Sequence, residues 1–185
     1  MTQQTAQVTT WTTDKAHTQV EFGVKHMMFT TVKGHFRSFE ATLRMDEANP
    51  SESTVEVRLD AASIDTAAPD RDGHLRSADF FDVANHPEIT FRSKRLENAS
   101  FEEGARFQMI GDLTIRGVTR EIALDVTFDG QGLDPWGQHK TAFTAEGKLD
   151  RHDFGLTWNQ ALETGGVLVG REIRLAISAQ FVRAA

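Results

Sequence analysis

The 185-residue chain contains no cysteine and no tyrosine, and its 20 lysines and arginines are outnumbered by 27 aspartates and glutamates. Without thiols there is no disulfide, thiolate metal site, cysteine nucleophile or iron–sulfur cluster. No apolar run approaches the roughly 18 residues of a membrane-spanning helix. The formal net charge of −7 argues against nucleic acid as the main partner, because phosphate binding calls for a basic stripe. Residues Met1–Gln7 offer neither the basic start nor the apolar centre of a secretory signal, so the chain as written is expected to be cytoplasmic. Nucleophile elbow, phosphate loop and dinucleotide-binding glycine motifs are all missing. The seven histidines (His17, His26, His35, His74, His86, His139 and His152) are scattered, with no metal-ligand spacing on one element. Neither a cofactor nor a metal is expected.

What the chain does contain is ordinary for a folded soluble domain: 39% hydrophobic and 25% charged residues. Its length fits about one domain. Residues 1–8 read as a disordered polar tail and 9–183 as a single domain.

Period-two alternation dominates, and helical periodicity is nearly absent. Val20, Phe22 and Val24 alternate with polar neighbours, as do Val32 to Phe36, Val55 to Leu59, and Ile89 and Phe91 after Pro87. The same holds for Phe107 to Ile115, Val118 to Phe128, Phe143 to Leu149, and Ile173 to Phe181. These predict about eight strands. Ile115-Arg116-Gly117-Val118 reads as a tight hairpin, and Asp46–Ser53 and Asp129-Gly130-Gln131-Gly132 as loops. Only Ser63–Asp82 breaks the pattern. There Asp70 and Asp72 precede Arg76, the charge order of a short helix, and Ser77 would cap a second helical turn before Phe81.

Strands with a single apolar face must pack as a sandwich or close as a barrel. Eight strands close into a barrel that is either filled by side chains or holds one ligand. Small residues on the apolar faces (Gly34, Gly111, Ala145, Gly147) favour interior space; the alternative is that these glycines serve bulges and corners. Phe22, Phe36, Phe91, Phe107, Phe128, Phe143 and Phe181 all fall on the inward faces. With 13 Phe and no Tyr, that interior is predicted to be apolar with few polar handles.

Several segments carry a family resemblance, in order along the chain. They are Trp11-Thr12-Thr13-Asp14, Val20 to Met27, Val32-Lys33-Gly34-His35-Phe36, Ser63-Ile64-Asp65-Thr66 and Arg71 to Asp82. Pro87-Glu88-Ile89-Thr90-Phe91, Gly111 to Thr119 and Arg151-His152-Asp153-Phe154-Gly155-Leu156 complete the series. Together they span roughly Trp11 to Phe181, and the chain resembles the YceI-like family, lipocalin-shaped proteins associated with polyisoprenoid or other long-chain lipid binding. The resemblance implies an all-β fold: a closed eight-stranded antiparallel lipocalin-like barrel with a short helical segment, holding an extended apolar chain along its axis. Many relatives are periplasmic and carry a signal peptide, which this chain as written does not.

The expected function is therefore a non-enzymatic carrier or sequestering protein for a long-chain isoprenoid or fatty-acyl lipid. The expected ligand-binding residues are Phe22, Val24, His26, Phe36, Phe91, Met109, Leu113 and Phe143, with no catalytic residue. His26 shares the strand parity of Phe22 and Val24 and would meet a ligand's polar head at the barrel mouth. Its alternative role is structural, satisfied by a carboxylate. Lys25 and the charged segment Asp70–Arg76 would gather beside it. Two other readings stay open: an enzyme acting on such a lipid with His26 or His74 as general base, and a ligand-free structural or stress-related barrel. Edge strands and extended loops, such as Phe154–Gly166, could form a homodimer face, although nothing in the pattern requires one.

Overall fold

A computed structural model of the protein describes residues 7–185. The alternation resolves into eleven strand segments lying on eight staves. The first stave is β1 (Val8–Thr13) and β2 (Gln19–His26), interrupted by a single 3-10 turn at Lys15–His17. The second is β3 (Thr30–Phe36) and β4 (Phe39–Asp46), bent at Arg37 and Ser38. The third is β5 (Thr54–Asp60) followed by the two-residue β6 (Ile64–Asp65). The others are β7 (Glu88–Glu97), β8 (Arg106–Ile115), β9 (Val118–Leu133), β10 (His139–Asp150) and β11 (Val169–Arg183).

Every neighbouring pair is antiparallel, and β11 closes the ring. One edge of β11 pairs with β10, while the other pairs with β1 (Thr13 opposite Phe181) and then β2 (Phe22 opposite Leu175). The barrel has no free edge along this seam. The break in the first stave is bridged on both sides by hydroxyls. Thr13 Oγ1 accepts from Ala41 N at 2.7 Å and donates to Ala41 O at 3.0 Å, and Thr18 Oγ1 does the same for Gln180 N and O at 3.0 and 3.1 Å. Side chains thus replace the ladder bonds that the bent backbone cannot make.

The hairpin at Arg116-Gly117 forms as expected, with Ile115 opposite Val118 and both turn residues at positive φ (50° and 73°), the twist that suits a two-residue connection. The single α-helix among the described residues, α1 (Pro69–Arg76), carries Asp70 and Asp72 in its first turn and His74 and Arg76 in its last, again as expected.

Four details differ from the sequence reading. Strand β1 begins at Val8, inside the expected tail; residues 1–6 of that tail lie outside the described residues. Strand β4 was not anticipated, though Phe39, Ala41, Leu43 and Met45 alternate cleanly with Glu40, Thr42 and Arg44. Asp129-Gly130-Gln131-Gly132 is not a loop but the last part of β9, because Gly130 (φ 135°) absorbs a bulge opposite Ala142 and Phe143. The true turn lies beyond, where Asp134 Oδ1 accepts from the Trp136 and Gln138 amides, both at 2.9 Å. Finally, Ser77–Phe81 forms non-helical turns. Ser77 Oγ donates to His74 O at 2.6 Å, which ends α1 rather than starting a second helix.

Candidate functional site

The inward faces do not meet at the centre. They line an internal cavity of about 280 Å³ that runs the length of the barrel, from Thr13, Leu43 and Phe101 at one end to Leu75, Arg151 and Leu156 at the other. Its wall presents almost no polar atoms. Three of the hydroxyl residues that line it are committed elsewhere: Thr13 and Thr18 to the backbone bonds given above, and Ser53 Oγ to the Asp46 amide at 2.9 Å.

Part of the interior is filled core: Trp11, Met45, Ile64 and Phe128 are buried in close packing and stand off the cavity. Val20, Phe22 and Val24 on β2, Val55, Val57 and Leu59 on β5, and Ile173, Leu175 and Ile177 on β11 also point inward, yet are only half-buried because they face the cavity.

Both ends are built from aromatic side chains. At the end nearest the β7–β8 connection, Phe101 packs against Phe128, Phe143 and Phe107, with ring centroids 5.6, 6.2 and 6.5 Å away, and Phe143 packs on Phe181 at 6.2 Å. Edge and tilted contacts of this kind add to the burial of the rings themselves. At the opposite end α1 and its following turns supply Leu75, Phe80 and Phe81 to the wall. Three contacts hold that segment in place. Asp72, buried, accepts from Thr66 N at 2.9 Å and Thr66 Oγ1 at 2.5 Å. His74 Nε2 lies 2.9 Å from the Asp79 carboxylate, with its ring edge-on to Trp158 and Phe80 at 4.6 and 5.1 Å. Arg116 donates to Phe80 O at 3.0 Å.

Arg151 is the one charged residue on the wall, and it is 4% exposed. It meets no carboxylate directly. Its guanidinium donates to the carbonyls of Leu156, Gly170, Trp158 and Val169 at 2.7, 2.8, 2.9 and 3.2 Å. Burial pushes its pKa below the usual arginine range, while the nearby Asp150 carboxylate acts in the opposite direction. Arginine stays cationic even so, and its planar fork ties the 156–158 segment to the start of β11. The charge is spent on backbone, not offered to the cavity.

Of the eight residues expected from sequence, Phe22, Val24, Phe91, Met109, Leu113 and Phe143 lie on the wall. Phe36 lies behind it, buried, its ring 5.8 Å from Phe22 and 6.0 Å from Phe81. His26 ends β2 opposite Thr30 and Val169, off the wall. Among the described residues no histidine lines the cavity. Sequence reasoning missed Leu75, Phe80, Phe81, Phe154 and Leu156. Their only signal was apolar character inside segments otherwise rich in charge.

Two of the inward glycines, Gly34 and Gly111, make room for aromatic rings, and Gly111 also faces the register shift between Ser93 and Arg95 on β7. A Cβ on Gly34 would lie 2.5 Å from the Phe22 ring and 2.9 Å from Thr66 Cγ2; one on Gly111 would lie 2.5 Å from the Phe91 ring. Each glycine lets a phenyl from the adjacent strand lie flat across the sheet.

Comparison with known proteins places this geometry. A UPF0312 protein of Staphylococcus epidermidis is 38% identical over 169 residues, spanning 91% of this chain and 94% of that protein. A UPF0312 protein of Staphylococcus aureus is 37% identical over 176 residues, spanning 94% and 98%. Among solved structures, a Campylobacter jejuni YCEI protein superposes with a TM-score of 0.73 at 33% identity, covering 93% of this chain and 96% of that one. Burkholderia cenocepacia BcnA (TM-score 0.78, 23% identity, 91% and 98% covered) shares the fold. So does a domain from Saccharophagus degradans described as polyisoprenoid-binding (TM-score 0.68, 11% identity, 96% and 100% covered). The YceI-like domain family matches residues 11–181, nearly the whole barrel, and the chain belongs to that family.

Proposed function

We propose that the protein is a non-enzymatic carrier or sequestering protein for a long-chain lipid of the polyisoprenoid or fatty-acyl class, held in the barrel cavity. The observation that carries this reading is the cavity wall: continuous aliphatic and phenyl surface along the barrel, with the Thr13 and Thr18 hydroxyls and its one guanidinium already hydrogen-bonded to backbone. Such a wall suits a flexible hydrocarbon. Burying each CH₂ contributes about 0.8 kcal/mol, offset in part by the ordering of the chain. The polyisoprenoid-binding description of the Saccharophagus degradans domain, which has the same fold, supports the class of ligand. An enzyme reading has less to stand on. His74 is held by Asp79 and packed edge-on against Trp158, and His26 lies off the wall.

Organic extraction of the purified protein followed by mass spectrometry tests the proposal. A co-purifying prenol or fatty-acyl lipid, or uptake of an added prenol, is the expected result; neither would overturn it. Two substitutions refine the test. Phe22→Asp places a carboxylate on an apolar wall and should reduce prenol retention at least ~10-fold. Because Phe22 also packs on Gly34 and Phe36, Ala41→Phe is the complementary variant. It fills the cavity from a half-buried position on β4 without adding charge, and should keep the fold while blocking uptake. Full retention in a folded Ala41→Phe protein would place the lipid elsewhere.

A further inference from the structure

The β2–β3 hairpin ends in three consecutive large apolar side chains turned to solvent. Met27 is 42% exposed, Met28 65% and Phe29 82%. The backbone presents them at some expense, since Met27 and Met28 both adopt left-handed φ values of 50° and 66°, a region disfavoured for side chains of this size. A second loop completes the patch. Met27 N–H donates to Leu168 O at 2.8 Å, Met28 Sδ lies where a Cβ on Gly166 would be 2.5 Å away, and Val167 beside them is 39% exposed.

Charge around this tip runs against that of the molecule. The chain carries −7, yet the hairpin between Gly23 and Gly34 holds Lys25 and Lys33 and no acidic residue. Both lysines are exposed, and among the described residues neither forms an ion pair. Glu163 is the only acidic residue in the facing 155–170 loop. The tip also adjoins the cavity: Val24 and Val169, both on its wall, flank it, with Val169 paired to His26 across the ladder.

We infer that the Met27-Met28-Phe29 tip, with Val167, is a membrane-docking element that inserts into the interfacial zone of an anionic lipid bilayer. Apolar side chains at a convex tip with unpaired lysines on its flanks match what an interface offers: acyl chains below and phosphate groups above. A second copy of the chain is the poorer occupant. Four side chains on a tip fall short of the roughly 1,200–2,000 Å² that a stable protein interface buries. The inference rests on the lipid-carrier reading for its purpose, since a cargo insoluble in water has to be exchanged with a membrane, but its test is independent of cargo.

The experiment is flotation of the full chain with vesicles of phosphatidylcholine and phosphatidylglycerol in roughly three-to-one proportion. It is run beside sedimentation of the protein alone and a separate measurement of prenol retention. Wild type should partition onto the vesicles. The double variant Met28→Ser/Phe29→Ser should lose at least ~10-fold in partitioning, and Lys25→Gln/Lys33→Gln about 3–10-fold, the latter difference shrinking at high salt. Trp136→Ser, at the opposite end of the barrel and also exposed, should float like wild type. Prenol retention should be unchanged in all three. Absence of wild-type flotation, equal flotation of Met28→Ser/Phe29→Ser, or a dimer abolished by that variant would each overturn the docking element. Flotation that depends on the tip in a protein that retains no prenol would sustain the docking element and sink the carrier function.

Discussion

Asp14 shows how single side chains knit the seam of the barrel. It sits just after β1, and its Oδ2 accepts from Lys140 Nζ at 2.8 Å and Gln180 Nε2 at 3.2 Å, with His17 Nδ1 at 3.0 Å. The pair with Lys140 is well covered, the side chains being 11% and 20% exposed. The Lys140 ammonium holds the Asp14 carboxyl below its ordinary 3.8, desolvation opposing it and His17 assisting. A depressed folded value favours the ionised fold. The stabilisation is therefore complete above the unfolded value and is lost as pH falls through the lower folded one. Asp14→Asn should cost about 1–2 kcal/mol at neutral pH. The gap between variant and wild type should close as pH drops below ~3.8 in urea titrations run across the acid range. A gap unchanged at pH ~2 would mean that the carboxylate's charge is not what matters.

Among the elements, α1 is the piece whose position decides the shape of the cavity's end. A two-turn helix has little stability of its own, so α1 depends on its contacts to β6 and the loops around it. Asp72 is the central one, satisfying both the amide and the hydroxyl of Thr66 from within the helix. Arg71 adds bonds to Thr66 Oγ1 and O at 2.7 and 2.8 Å. Asp72→Ala should destabilise the protein by about 2–3 kcal/mol. Before global unfolding, it should raise amide hydrogen exchange in Pro69–Val83 while leaving β8–β10 protected. Uniform loss of protection across the barrel would show that α1 is no separate latch. The legibility of the elements follows the same physics. Strands with one wet and one dry face announce themselves by period two, which is why β2, β5, β8, β9 and β11 were readable. β1, with Thr at four of its six positions, hides its buried face behind residues that are polar in composition but bonded in place. The charge order of α1 was readable, but its wall residues Leu75 and Phe80 depend on where a turn folds back. Six of the eight expected site residues reached the cavity because strand parity sets direction. His26 did not, because parity stops predicting direction where β2 runs out into its hairpin.

At the scale of the whole molecule, eight staves were expected and eight are present, yet for a different reason. Two expected strands proved to be halves of bent staves, and β1 and β4 supply the other halves. What matters energetically is that the barrel leaves its own axis unfilled. A domain of this size could bury more apolar surface by collapsing around larger side chains, and the half-buried faces of β2, β5 and β11 show that it does not. Lipid in the cavity would supply the missing contacts and bind only the folded state. Loading at ~1,000 times the dissociation constant should stabilise the protein by about 4 kcal/mol. That corresponds to a rise in Tm of roughly 8–16 °C, measurable by differential scanning calorimetry of extracted and reloaded protein. Identical Tm values for the two would mean that the cavity is not where lipid binds.

The closing seam has a consequence for biosynthesis. β1 leaves the ribosome before the rest of the barrel, and β11, its hydrogen-bonded neighbour on the ring, is the last of the barrel's strands to follow, with Trp11 facing Arg183. Until β11 emerges, β10 and the first stave each expose an unpaired edge, and the Phe-rich interior stays open to water. The nascent barrel is an open sheet with two sticky borders, a state that invites aggregation. Ring closure is its final and most non-local step.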